Sequence, residues 1–278
     1  MVQLENIQFG YVKSRPLFKD LNLTMEPGHV YGLLGKNGAG KTTLLKIMSG
    51  LRFPDGGKAT IMNENASLRK AEVLQNLYFL QEEMYVPHLK VDQFVKAYAS
   101  FYPNFSQEKF AEYMHELELD QETGYMDKLS HGQKKKVLIA FALATNTKIL
   151  IMDEPTNGLD IPSKSAFRKL MASAADDSRL VIISTHQVRD LHSLIDMVAI
   201  LDNGHMLLNA STYEITEKLL FDVDDAKSSE GEVFYTEETP RGNYQVKENV
   251  NHQDSSLDLE LLFNAAIINK NEIANLFK

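Results

Sequence analysis

Gly35-Lys36-Asn37-Gly38-Ala39-Gly40-Lys41-Thr42 has the spacing G-x-x-x-x-G-K-[ST] of a loop that grips the phosphates of a nucleoside triphosphate. Its flanks supply the setting that such a loop needs. The apolar lead-in Val30-Tyr31-Gly32-Leu33-Leu34 predicts a short buried strand, and Thr42-Thr43-Leu44-Leu45-Lys46-Ile47-Met48 predicts a helix. Glycines at the junction let backbone N–H groups turn inward around phosphate oxygens. The positive end of the helix favours the anion, Lys41 bridges the terminal phosphates, and the Thr42 hydroxyl is placed to ligate magnesium. The chain is therefore expected to bind ATP or GTP.

With 278 residues, 44% of them hydrophobic, the chain can bury a substantial core as one large α/β domain or two smaller ones. No apolar run approaches the roughly 18 residues that cross a bilayer, and Met1-Val2-Gln3-Leu4-Glu5-Asn6 lacks the basic-then-apolar layout of a secretory signal. A soluble chain is expected. The lack of cysteine excludes disulfides and thiolate metal sites and is compatible with a cytoplasmic address. The net charge of −9 argues against broad nucleic-acid binding, which needs a basic surface. From Phe221 to Lys278 there are 12 acidic and 5 basic residues, so −7 of that charge belongs to a solvated acidic appendage.

Val2 to Phe9 alternates apolar and polar residues, as a half-buried strand in an edge sheet would. After the phosphate-loop helix come a turn, Phe53-Pro54-Asp55-Gly56-Gly57, and a further strand, Lys58 to Met62. Val91, Phe94, Val95 and Tyr98 fall at helical spacing, and Phe105 to Leu119 carries a second helical pattern. The aromatic stripe Phe94, Tyr98, Phe101 reads as core packing. Lys148 to Met152 and Arg179 to Ser184 are continuous apolar runs that suit a parallel sheet covered on both faces. Val198 to Leu201 and His205 to Leu208 flank Asp202-Asn203-Gly204 as a hairpin. Beyond Leu220 stand two short strand candidates, Glu232 to Tyr235 and Tyr244 to Val246, and a helix from about Ser256.

A phosphate loop alone admits kinases, GTPases, helicases and transport ATPases, so downstream residues must discriminate. Ile149-Leu150-Ile151-Met152-Asp153-Glu154 ends a buried strand in two carboxylates. Asp153 can hold magnesium, directly or through water, and Glu154, one residue on, can accept a proton from an attacking water. Leu129-Ser130-His131-Gly132-Gln133 precedes the basic and apolar run Lys134 to Ala140. It forms a capping box, with Ser130 at the N-cap and Gln133 reaching back.

Together these segments resemble the ATP-binding cassette ATPases, over roughly residues 1 to 220. Leu129 to Gln133 matches the family's signature motif. Tyr11 stands where the family places an aromatic that stacks on adenine, and Gln81 matches its magnesium- and water-sensing glutamine. Gly158-Leu159-Asp160 matches the loop that crosses between paired subunits, and His186 the switch histidine near the terminal phosphate. The resemblance implies catalysis by Glu154, His186, Gln81 and Lys41, and magnesium held by Thr42, Gln81 and Asp153. It implies ATP held by Tyr11, by Gly35, Lys36, Asn37, Gly38, Ala39, Gly40, Lys41, Thr42 and Thr43, and by Ser130, Gly132, Gln133 and Asp160. It also implies a head-to-tail pair, in which Ser130 and Gly132 of one copy close over ATP on Lys41 of the other. One departure stands out: His131 occupies a position that is usually glycine, and it is expected to be tolerated.

The expected fold is α/β: a P-loop NTPase with a mixed sheet core, an antiparallel β subdomain, a helical subdomain and a small α+β C-terminal extension. Its cassette ATPase domain spans residues 1–220, with a helical insert at about 85–145, and a small acidic accessory unit spans 221–278. The expected cofactors are ATP and Mg2+. The expected partners are an integral membrane permease and a second cassette subunit, identical or related, and no nucleic acid. The expected address is the cytoplasmic face of the membrane, reached through the permease, and the accessory unit with the short insert resembles exporter-type subunits. A soluble, non-transport cassette ATPase of the cluster-assembly type is the alternative.

Overall fold

The structure, a computed structural model, describes residues 1–119, 124–174, 176–188, 191–223, 231–240 and 242–277. Parts of the expected helical insert (120–123) and of the expected accessory unit (224–230, 241 and 278) lie outside them. In chain order the elements are β1 (Val2–Phe9), β2 (Phe18–Met25), β3 (Val30–Leu34), α1 (Lys41–Met48), β4 (Gly56–Ile61), β5 (Glu64–Asn65), α2 (Ala71–Leu74) and β6 (Leu77–Leu80). Next come α3 (Val91–Ala99), α4 (Gln107–Glu116), α5 (His131–Ala144), β7 (Ile149–Asp153), α6 (Ile161–Ala174), β8 (Leu180–Thr185), β9 (Met197–Asp202) and β10 (His205–Ser211). The last are α7 (Thr212–Lys218), β11 (Leu219–Val223), β12 (Val233–Thr239), β13 (Gly242–Glu248), α8 (Leu259–Ile268) and α9 (Lys270–Leu276).

The continuous apolar strands form a six-stranded sheet in the order β10-β9-β3-β8-β7-β6. All its neighbours run parallel except β10, which returns antiparallel from β9 through Asn203 and Gly204. Both turn residues have left-handed backbone, φ 46 and 78, the geometry that matches the twist of a two-residue hairpin. The alternating segment behaves differently. β1 lies inside a second, antiparallel sheet of order β2-β1-β4-β5, with its apolar residues turned inward. Helix α1 fills the space between the sheets: Leu44, Leu45, Ile47 and Met48 pack with Val2, Leu4, Ile7 and Leu33.

The other face of the large sheet carries α5, whose residues from Val137 to Ala144 are all buried, as a helix apolar all round must be. Phe141 is its hub, with ring centroids 5.1 Å from Phe94, 5.1 Å from Phe105, 5.8 Å from Tyr78 and 6.1 Å from Tyr102. The expected aromatic stripe divides here. Phe94 joins this core, Tyr98 stacks on it while 39% exposed, and Phe101 is 62% exposed. Helix α3 ends at Ala99, so Phe101 leaves the helical phase that the spacing implied.

Strand β11 pairs with β13, which also pairs with β12, and so straddles the boundary expected at residue 220. Asp258 caps α8 by accepting from the N–H groups of Glu260 at 2.8 Å and Leu261 at 3.0 Å. Leu259, Leu262, Ala265 and Ala266 of α8 then join the apolar cluster that contains Leu191, Ile195 and Val198. Lys218 donates to the Leu276 carbonyl at 2.7 Å, and Lys270 pairs with buried Asp202.

Candidate functional site

Open α/β sheets bind ligands outside the carboxyl ends of their strands. Here β3, β8 and β7 are neighbours, with Leu34 level with Thr185 and Ser184 level with Asp153. That register sets the phosphate loop, His186 and the Asp153-Glu154 pair side by side. The loop, Asp153 and Glu154 edge a cleft of about 590 Å3, and His186 lines the adjoining pocket, which shares Lys36 and Asn37 with that cleft.

Lys41 is almost wholly buried, donating to the Gly35 carbonyl at 2.7 Å and standing 3.9 Å from Glu154 Oε1. Burial lowers its pKa, while Glu154, Asp153 and Glu82 oppose that fall. Serines 106, 130 and 211 cap α4, α5 and α7, whereas no side chain caps α1 after Gly40. The first N–H groups of α1 are thus left for an anion. The Thr42 hydroxyl donates to Asp153 Oδ2 at 2.6 Å, and the Ser184 hydroxyl bonds the other Asp153 oxygen. Among the described residues no cluster of three or more His, Asp or Glu forms a cation cage. A hydroxyl and one carboxylate beside a phosphate loop instead suit magnesium, which takes one or two protein oxygens and fills its remaining positions with phosphate and water.

Glu154 has left-handed backbone, φ 47, a conformation that costs a non-glycine residue about 1–3 kcal/mol. Its surroundings hold it there. Its N–H donates to the Ser184 carbonyl at 3.0 Å, and its own carbonyl accepts from Lys135 Nζ at 2.9 Å. Side-chain Oε1 accepts from His186 Nδ1 at 2.8 Å. Oε2 is buried with no hydrogen-bond partner among the described residues. A buried, unpaired carboxylate oxygen is costly unless it has a task, and here it belongs to a residue on the cleft wall.

Tyr11 forms the rim. Its ring is 62% exposed, yet it is fixed by a 2.8 Å hydroxyl contact to Thr43 Oγ1, by Arg52 4.8 Å from its centroid and by Phe9 edge-on at 5.2 Å. A rigid exposed aromatic face is what base stacking requires.

Gln81 follows β6 and is half-buried, but the residue that lines the cleft is its neighbour Glu82. Strand β6 ends at Leu80 and the chain bends at Glu82, which is the residue brought to the cleft. Glu82 Oε1 accepts from Asn157 Nδ2 at 3.0 Å, Asn157 Oδ1 from Gln187 Nε2 at 3.1 Å, and Gln187 Oε1 from Lys164 Nζ at 3.2 Å.

Ser130, Gly132, Gln133 and Asp160 do not line this chain's own cleft. Ser130 and Gln133 form the expected capping box, at 3.2 and 3.0 Å. Asp160 accepts from the hydroxyl of Ser163 and, at 2.9 Å, from its N–H, and these bonds hold its carboxyl below the usual range. His131 is exposed, but its ring covers Gly158: a Cβ there would lie 2.7 Å from His131 Nδ1. Glycine at 158, with φ 79, leaves room for that ring. Sequence reasoning missed Glu82, Lys135, Ser184 and Arg52. Each reads as an ordinary surface or strand residue, and only Lys135, in a basic run entering an apolar helix, carried a signal.

Residues 18–157 match the family model described as ABC transporter. The ABC transporter ATP-binding protein YtrB of Bacillus subtilis (strain 168) is 26% identical over 232 residues, covering 81% of this chain and 78% of that protein. The bacitracin transport ATP-binding protein BcrA of Bacillus licheniformis is 33% identical over 190 residues, 67% of this chain and 62% of that protein. Among solved structures, the dimeric post-hydrolysis state of the ATP-binding cassette MJ0796 bound to ADP and Pi superposes with a TM-score of 0.66 at 26% identity. It covers 76% of this chain and 98% of that one. The chain therefore belongs to the ABC transporter family, as one of its ATP-binding, ATP-hydrolysing cassettes.

Proposed function

We propose that this cassette powers a separate integral membrane permease, in the export direction, as one half of a head-to-tail pair. One observation carries the pairing: the phosphate loop, Asp153 and Glu154, the last bonded to His186, converge on one cleft, while Ser130, Gly132 and Asp160 of the same chain stay off it. A second copy offering its Ser130 and Gly132 completes the pocket. Tyr11 stacks on the adenine, and Lys41 with the first amides of α1 binds the phosphates. Thr42 and Asp153 would hold magnesium, with Glu82 on the nearby wall and Gln81 next to it in the chain. Magnesium, when bound, neutralises charge on the β- and γ-phosphate oxygens.

Water then attacks the γ-phosphorus. The new P–O bond forms as the bridging bond to the β-phosphate breaks, ADP leaves, and the water proton passes to Glu154. His186 orients the Glu154 carboxylate and lends positive potential to the transferring group. ATP between the two copies draws them together and its hydrolysis releases them.

No helix among the described residues is long and apolar enough to cross a membrane, so the transport path belongs to another polypeptide in this reading. The exposed aromatics Tyr85, Tyr98, Phe101 and Tyr125 on and beside the helical insert offer that partner a contact face. The small accessory unit and short insert support export in this reading. Purification of the tagged chain from detergent-solubilised membranes tests the reading. A stoichiometric integral membrane protein is expected; purely soluble partners would favour a non-transport cassette instead.

A further inference from the structure

Lys135 is a fully buried ammonium that the chemistry above does not use. Such a group is retained only where it is paired. Its Nζ donates to the carbonyl of Glu154, 19 residues on and in a different layer of the fold. The bond fixes the one peptide unit that follows the left-handed backbone of Glu154. Burial lowers the pKa of Lys135, and Glu82, Glu154 and Asp153 oppose only part of that fall.

A second attachment lies nearby. The His131 ring covers Gly158, and a Cβ on Gly132 would stand 3.2 Å from the Gly158 carbonyl oxygen. Helix α5 thus grips the segment from Glu154 to Gly158 at both ends. The same helix opens with Ser130, whose place in the proposed pair is against the nucleotide of the other copy.

We infer that Lys135 is a positioning residue: it fixes the turn that aims Glu154 and ties the base of one site to the helix that closes the other. The inference rests on the reading of Glu154 as base and of the pair as head-to-tail. ATP arriving against Ser130 then shifts α5, and Lys135 passes that shift to Glu154.

The test uses the full chain with magnesium-ATP and the variants K135M, which has neither donor nor charge, and K135Q, which keeps a donor. Each is measured alone and with E154Q for turnover, nucleotide affinity and cooperativity in ATP. K135M is expected to slow turnover about 10–100-fold, the cost of slight misplacement, with nucleotide affinity kept and cooperativity lost. K135Q is expected to recover most of that rate. With E154Q present, K135M should remove less than about threefold more, because the group it positions is already gone. K135M turning over at the wild-type rate overturns the inference. So does a loss that persists in full with E154Q, or a folded K135Q as slow as K135M. Should K135M not fold, K135Q decides: a loss of about two- to tenfold that disappears with E154Q present supports the tether, and a rate equal to wild type or a loss that survives in full with E154Q is fatal. Wild-type hydrolysis by E154Q alone would instead overturn the assignment of the base.

Discussion

Replacing Glu154 with Gln keeps the size of the side chain and its hydrogen-bonding reach to His186, but removes the proton acceptor and one negative charge. General-base catalysis contributes roughly two to four orders of magnitude, so turnover should fall 10²–10⁴-fold, about 2.7–5.4 kcal/mol of barrier. Nucleotide affinity should move the other way. Glu154 Oε1 lies 3.9 Å from Lys41 Nζ, and both side chains are less than a tenth exposed. At an effective dielectric of about 20 that attraction is on the order of 4 kcal/mol. Its removal frees Lys41 for the phosphates and takes an anion away from them, so ATP should bind as tightly as before or more tightly. Phosphate release, titration with a fluorescent ATP analogue and sedimentation velocity are the assays. Slow hydrolysis with retained binding and an ATP-dependent dimer is the expected triad. Hydrolysis at the wild-type rate would refute the role of Glu154, and loss of ATP binding would refute the geometry assigned to the cleft.

Three further outcomes are expected. Thr42→Ala deletes the 2.6 Å donor to Asp153 and should raise the magnesium needed for half-maximal hydrolysis about 10–100-fold; an unchanged requirement counts against Thr42 and Asp153 as the metal's holders. His131→Gly should leave hydrolysis within about threefold, the scale of a surface change, because the close approach of Gly132 to the Gly158 carbonyl still holds α5 against that segment; abolished activity would show that the ring does more than fill space. Phe141→Ala empties the hub of the helical face and should cost about 3–5 kcal/mol, lowering Tm by about 6–20 °C. A loss below about 1 kcal/mol in urea denaturation would show that its four aromatic neighbours collapse onto one another without it.

The fold was legible wherever a local pattern has one structural meaning. Apolar runs ending in Asp153 and Ser184 became central parallel strands, Asn203-Gly204 became the hairpin turn, and Ser130 with Gln133 became the capping box. Strand β11 was not legible, because Leu219 follows α7 with no glycine or proline to mark the change. The site divides the same way. Residues whose chemistry depends on spacing, such as Lys41, Thr42, Asp153 and Glu154, announce themselves. Glu82 does not, since which of two adjacent side chains faces the cleft depends on how β6 leaves the sheet. Lys135 stands between two partly exposed lysines and differs from them only in phase: each residue of a helix turns by about 100°, which carries the middle lysine inward.

The way α8 is seated decides what can be exchanged between this cassette and its relatives. Its leucines and alanines finish a layer begun by Leu191, Ile195 and Val198, and His192 reaches across to the Leu257 carbonyl. A chimera spliced at residue 220 would sever β11 from its hydrogen-bonded neighbour and leave that layer wet, inviting self-association. A graft that respects the seam has to begin before α7 and bring matching residues at 191, 195 and 198 with it.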